Sequence, residues 1–320
     1  GDLNEPDDRI IYVAIRRPDG YVGKPPEAGT DALGFAYGTG NDPAFAPGFP
    51  VDFTFLRRPG TTENWTTAAR LIQGKYLFTN SNAAEASDSN IEFDHSNGFH
   101  DGTGLDTYLS WSWKRHAGFD VVTWEGTNSS VVRRHNLGRT PEMIWYKNRD
   151  DTRNWKVYHK GLNEGTNPED YTINLNQTNP EGGNTSYMTG TAPTSTTFVS
   201  GNDDDTNGAG DNYIALLFAS VDSISKVGYY TGNGSTQTIT TGFAPRFAII
   251  RRVDGTEDHW VVLDTTRGWA SGDDKVLKLN DAAAQGTSED MGAPTSTGFS
   301  LTSNGWVNYN TGKFIYYAHA

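Results

Sequence analysis

The chain has 320 residues, a formal net charge of −13 and a pI near 4.9, a balance that argues against nucleic acid and against an anionic membrane surface as partners; the acidity is spread along the chain and reads as solubility. There is no cysteine, which removes disulfides and thiolate chemistry together, and no apolar run long enough to be a membrane-spanning helix. The 36 glycines and 12% aromatic residues, with abundant Thr and Asn and no sustained 3.6-residue apolar period, predict an all-β protein with many turns and little helix.

Residues 1–31 open with an acidic lead-in that lacks the basic start and long apolar region of a signal peptide. One strand follows at residues 10–15 (IIYVAI), then a Pro/Gly loop. The strand's internal relatives are the segments at 213–219 and 314–320, which close later units. It therefore looks like a closing strand without a unit of its own, and is expected to pair within the chain or with a neighbouring copy, because an unpaired apolar strand invites aggregation.

The remainder reads as three tandem repeats, at 32–117, 118–222 and 223–320. The third is the clearest. A Gly-Phe-Ala-Pro turn leads into the apolar run Phe247-Ala248-Ile249-Ile250, closed by Arg251 and Arg252, and a polar tip containing Asp254-Gly255 returns the chain through Trp260-Val261-Val262-Leu263-Asp264. That pattern predicts a β-hairpin. It recurs as Met143-Ile144-Trp145-Tyr146 with Trp155-Lys156-Val157-Tyr158, and in eroded form as Phe53-Thr54-Phe55-Leu56 with Trp65. Middle strands are expected at 75–80, 171–176 and 276–280, and near-identical Ala-Pro-Thr-Ser-Thr strings begin at Ala192 and Ala293. Six to eight short strands per repeat predict an all-β chain of three tandem small antiparallel β-sandwich (jelly-roll-like) repeats. The short linkers predict that they pack as a rigid row.

With these motifs in view, the chain resembles a family of tandem β-sandwich domains found in virion and tail-associated proteins of marine bacteriophages. The family pattern matches residues 230–234, 242–252, 260–264, 277–280, 295–299 and 316–320 in the third repeat. The second matches nearly as well, and the first departs most, since Trp65 is followed by Thr66-Thr67. The resemblance implies a non-enzymatic virion protein on the particle surface. Its implied partners are other virion proteins and copies of itself, with host-surface glycan as a further contact. By analogy with concanavalin-like lectin sandwiches it leaves open a carbohydrate-binding receptor-binding protein and, further off, a glycan depolymerase.

Candidate site residues follow from chemistry. Trp65, Trp155 and Trp260 each follow a polar tip, where an aromatic face could stack on a pyranose; the competing reading is a core anchor at the start of a strand, which the recurrence favours. Asp203, Asp205 and Asp211 lie in an acidic loop with the hard oxygen ligands that Ca²⁺ prefers, but without the terminal Glu of a full calcium loop, so a solvated turn is the better expectation and no cofactor is required. Glu125, Glu142, Asp264 and Asp52 are carboxylates on or beside strands with no sequence signal that pairs two of them for glycoside hydrolysis. The seven histidines show no metalloprotease spacing. The pairs Arg57-Arg58 and Arg251-Arg252 read as local charge balance.

Overall fold

The computed structural model describes residues 26–102 and 105–320; the strand expected at 10–15 lies outside the described residues. Twenty-five strands, two four-residue α-helices and four short 3-10 turns occupy them, so the chain is all-β.

The first repeat contains β1 (Leu33–Tyr37), β2 (Phe53–Arg57), β3 (Thr66–Ala69), β4 (Lys75–Phe78), β5 (Ala86–Ser87), β6 (Ile91–Glu92), β7 (His100–Asp101) and β8 (Leu109–Trp113). The second contains β9 (Phe119–Glu125), β10 (Val131–Arg134), β11 (Met143–Asn148), β12 (Lys156–His159), β13 (Tyr171–Asn174), β14 (Gly182–Gly183), β15 (Thr197–Ser200), α1 (Asp204–Asn207) and β16 (Asn212–Phe218). The third contains β17 (Ser225–Thr231), β18 (Gln237–Thr240), β19 (Phe247–Arg252), β20 (Val261–Asp264), β21 (Asp274–Lys278), β22 (Gly286–Glu289), β23 (Pro294–Thr295), β24 (Gly298–Leu301), α2 (Gly305–Asn308) and β25 (Lys313–His319).

Each repeat builds one six-stranded antiparallel sheet in the same spatial order: β1-β8-β2-β3-β4-β5, β9-β16-β11-β12-β13-β14 and β17-β25-β19-β20-β21-β22. The predicted hairpins are β2–β3, β11–β12 and β19–β20. The closing strand inserts beside the first hairpin strand, as in the pairing of Ile249 with Tyr317. Smaller sheets, β6-β7, β10-β15 and β18-β24-β23, supply a second layer.

Side-chain alternation explains why the hairpin strands read as unbroken apolar runs. Successive residues point to opposite faces, and here both faces are buried. Phe53 and Phe55, Met143 and Trp145, and Phe247 and Ile249 all enter one common core. Their alternates go outward into three separate cores: Leu56 in the first repeat, Ile144 and Tyr146 in the second, Ala248 and Ile250 in the third. Each repeat is thus a small sandwich over its own outer core, while the inner faces of all three sheets share a central one.

The expectation of a row is corrected here, because the contacts run round a closed cycle. Phe53 meets Phe119 at 5.7 Å between ring centroids, Phe218 meets Tyr317 at 5.0 Å, and Phe247 returns to Trp113 of the first repeat at 5.5 Å. A row would leave the first and third repeats apart. Closure follows from burial: three sheets with a second apolar face bury those faces most fully against one another.

Candidate functional site

The three predicted tryptophans occupy one structural position, at the start of the second hairpin strand. Trp65, Trp155 and Trp260 are 0%, 1% and 1% exposed. In each repeat the backbone N–H of the tryptophan donates to an Asn side-chain oxygen, of Asn80, Asn176 and Asn280, at 2.9–3.0 Å. That bond ties the strand start to the end of the middle strand. The indole N–H then leaves its own repeat. Trp65 Nε1 donates to the Lys278 carbonyl at 2.9 Å, Trp155 Nε1 to Phe78 at 2.9 Å, and Trp260 Nε1 to Asn174 at 3.1 Å. No aromatic face remains for a sugar, so these residues are core anchors and inter-repeat ties rather than stacking platforms.

A second set of ties sits at the ends of β2, β11 and β19. Arg57 donates to the carbonyls of Asp281, Ala282 and Ala283 in the third repeat at 3.2, 2.9 and 2.9 Å. Lys147 reaches Asn82 of the first at 3.3 Å, and Arg251 reaches Asn179 of the second at 2.7 Å. Burial lowers the pKa of Arg57 and of Arg251 to about 10, and that of Lys147 to about 8, since the interior disfavours the charged form. Backbone bonds cross the same three interfaces in the opposite sense: Glu85 N donates to Arg149 O, Glu181 N to Val253 O and Gln285 N to Pro59 O.

The reading of both arginine pairs as local charge balance therefore needs correcting for one member of each. Arg58 pairs with Glu63 at 3.1 Å and Arg252 with Asp254 at 2.7 Å, but Arg57 and Arg251 are spent on neighbouring repeats.

The acidic loop is equally committed. Asp203 caps α1 by accepting from Asp205 N at 2.8 Å and also accepts from Asn184 at 3.0 Å. Asp205 pairs with Lys156 at 3.0 Å, and Asp211 accepts from Asn148 at 2.8 Å. Each carboxylate thus has its own partner, and among the described residues no group of three His, Asp or Glu side chains is placed to hold a metal ion. The calcium reading is replaced by a capped, cross-linked turn.

The candidate carboxylates are separately engaged. Asp52 bonds Arg70 at 3.2 Å and the Arg115 N–H at 2.7 Å. Asp264 is fully buried and accepts from Arg267 at 2.6 Å and from Trp111 Nε1 of the first repeat at 3.0 Å. Glu142 holds Lys160 at 2.5 Å and the Ser220 N–H at 2.7 Å, and its pKa is lowered: burial opposes the shift, but the bonds from Lys160 and Ser220 outweigh it. Glu125 sits exposed at the end of β9.

His116, His159 and His319 are buried, and desolvation lowers each to a pKa of about 3. His159 Nε2 lies 3.2 Å from the Tyr316 carbonyl of the third repeat, so these imidazoles are neutral packing elements.

Among the described residues, two of the polar clefts and a few exposed aromatics face solvent. One cleft of about 380 Å³ lies between Arg139, Glu142, Tyr158, Lys160 and Ser220. Its charged groups are already engaged: Glu142 pairs with Lys160, and Arg139 donates to the Ser220 carbonyl at 2.7 Å. The other, also about 380 Å³, is lined by Asn163, Asn167, Asp170, Tyr171, Asn184 and Thr185 with Gly183. Sequence reasoning missed it; its signal was the turn-rich string from Gly161 to Pro168, in which Asn and Gly mark left-handed backbone. Trp306 (39% exposed) and Tyr309 (52%) stand on and just after α2, with Lys278 and Arg252 over their rings at 4.5 and 4.1 Å.

The model of a family described as a domain of unknown function (DUF7483) matches residues 36–320. No curated protein matches the chain.

Proposed function

The chain belongs to the DUF7483 family, and we propose that it is a non-enzymatic structural protein of a bacteriophage virion, placed on the tail or particle surface, serving assembly and host-surface adhesion. The observation that supports this reading is the closed ring itself. The aromatic, cationic and carboxylate side chains that could have furnished chemistry are consumed in holding the three repeats together, as with Trp65 on Lys278, Arg57 on residues 281–283, and Asp264 on Trp111. Such a block is suited to bearing load and to presenting loops in fixed positions, and its partners would be other virion proteins and copies of itself.

The alternative, a carbohydrate-binding receptor-binding protein, draws on the exposed Trp306 and Tyr309, since exposed aromatics with polar neighbours suit glycan contact. A depolymerase would need two carboxylates across a groove, and the four candidates are instead bound to separate partners or stand alone. Sedimentation of the purified full chain with negative-stain imaging tests the assembly reading. A discrete oligomer or tube is expected. A monomer at every concentration, with reducing sugar released from a host glycan preparation, would overturn it.

A further inference from the structure

The cleft between residues 163–171 and 183–185 gathers several polar groups without protein partners in one place. The connection from β12 to β13 spans residues 160–170, against 265–273 in the third repeat and 70–74 in the first. In the third repeat the corresponding connection carries Arg267, buried on Asp264. In the first, a single 3-10 turn, Arg70–Ile72, suffices. In the second repeat the longer connection lines an open cleft.

Three non-glycine residues there have left-handed backbone: Asn163 at φ 49°, Glu164 at φ 55° and Asn167 at φ 45°. Such conformations persist only when the surroundings hold them. Here Asn163 N donates to Glu181 at 2.7 Å and Asn163 Nδ2 to Thr166 O at 2.7 Å, while Glu164 pairs with Lys313 of the third repeat at 2.8 Å. Gly161 lies so close to Tyr229 that a Cβ would fall 2.5 Å from the Tyr229 Cβ. The loop is pinned at both ends and pre-shaped.

Asp170 lines the cleft, and its carboxylate has no hydrogen-bond or ion-pair partner among the described residues. The Asn167 amide and the Thr185 hydroxyl are also exposed and without a protein hydrogen bond. Asn184 is fixed beside them by Asp203 and by its own N–H on Asp170 O. Tyr171 is half-buried, packs against the central core and also lines the cleft. An acceptor able to take two vicinal hydroxyls, amides that both donate and accept, and one aromatic wall are what a pyranose requires. No Lys or Arg lines the space, so a carboxylated or sulfated sugar would meet Asp170 without a counter-charge. The volume falls in the range of small-ligand pockets.

We infer that this cleft in the second repeat binds a neutral saccharide, with Asp170 accepting from adjacent hydroxyls and Tyr171 supplying the apolar wall. The inference goes beyond the assembly reading and does not depend on the particle to which the protein belongs.

Saturation-transfer NMR on the full chain tests it, with the methyl glycosides of glucose, galactose, mannose and their N-acetylamino counterparts as probes and methyl glucuronide as the charged control. Transfer to at least one neutral glycoside and none to the glucuronide is expected. Asp170→Asn keeps the shape and removes the charge, and should weaken binding roughly tenfold or more, the worth of hydrogen bonds to a charged acceptor. Asn167→Gly preserves the left-handed backbone while deleting the amide, and should weaken it to a smaller degree. An unchanged denaturation midpoint in both variants keeps folding out of the comparison. No transfer to any neutral glycoside, preference for the glucuronide, or full binding by Asp170→Asn would each overturn the inference.

Discussion

Replacing Trp260 with Phe removes one tie between the third and second repeats and leaves the strand otherwise intact. Two losses can be sized. The indole N–H bond to the Asn174 carbonyl disappears and leaves an acceptor in a site without solvent, costing about 1–3 kcal/mol. The smaller ring also leaves part of a fully buried space empty, which costs about 1–2 kcal/mol at roughly 0.8 kcal/mol per lost methylene equivalent. Together the expected destabilisation is about 2–5 kcal/mol. The equivalent changes Trp65→Phe and Trp155→Phe should fall in the same range, because each indole bonds the neighbouring repeat in the same way. Urea unfolding followed by circular dichroism measures this as a drop in midpoint at constant slope. If all three variants unfolded within about 0.5 kcal/mol of the parent, the usual span for surface substitutions, the tryptophans would not be inter-repeat ties and the reasoning would fail.

Further consequences concern charge. Arg57→Met should destabilise by about 3–5 kcal/mol, since carbonyls of residues 281–283 lose their donor in a buried site, whereas Arg58→Met should leave the unfolding midpoint nearly unchanged; equal effects would contradict the assignment. Because His116, His159 and His319 are held near pKa 3, each takes up its proton on unfolding. Stability therefore falls as pH drops below about 6.5, by about 1.4 kcal/mol per pH unit per histidine. Asp101 and Asp274, raised to about 7 and about 6 mainly by burial, act in the opposite direction, protonating in the folded state first. His159→Gln should therefore flatten the acid limb of the stability curve by about 1.4 kcal/mol per pH unit, and a His159 resonance titrating near pH 6.5 in the native protein would refute this. Added Ca²⁺ should leave the melting temperature unmoved, because Asp203, Asp205 and Asp211 have separate protein partners; a Ca²⁺-dependent rise that Asp203→Asn abolished would restore the metal site.

Local structure was legible in the sequence, because the signals were local. The hairpin arms around Asp254-Gly255, the middle strands and the three-fold recurrence all depend on residue types at fixed short spacing. The ring was not read, although a clue to it was present: Phe247-Ala248-Ile249-Ile250 and Met143-Ile144-Trp145-Tyr146 are apolar on both faces. A small outer layer such as β18-β24-β23 covers only one of them. The other face needs the neighbouring sheets, and a linear row would leave two ends uncovered. The buried roles of Arg57, Lys147 and Arg251 were hidden for a related reason. Their acceptors are backbone carbonyls of another repeat, as with Arg57 and residues 281–283, and carbonyls carry no sequence signature. The cleft at Asp170 was missed because it arises from left-handed backbone at Asn163 and Asn167, a property of the folded loop that Asn permits but does not dictate.

Differential scanning calorimetry of the full chain tests the closed ring most directly. One central core shared by all three repeats predicts a single cooperative transition whose calorimetric and van't Hoff enthalpies agree, and a fragment covering residues 223–320 that does not fold alone. Three separable transitions, or an isolated third repeat that melts cooperatively on its own, would contradict the account.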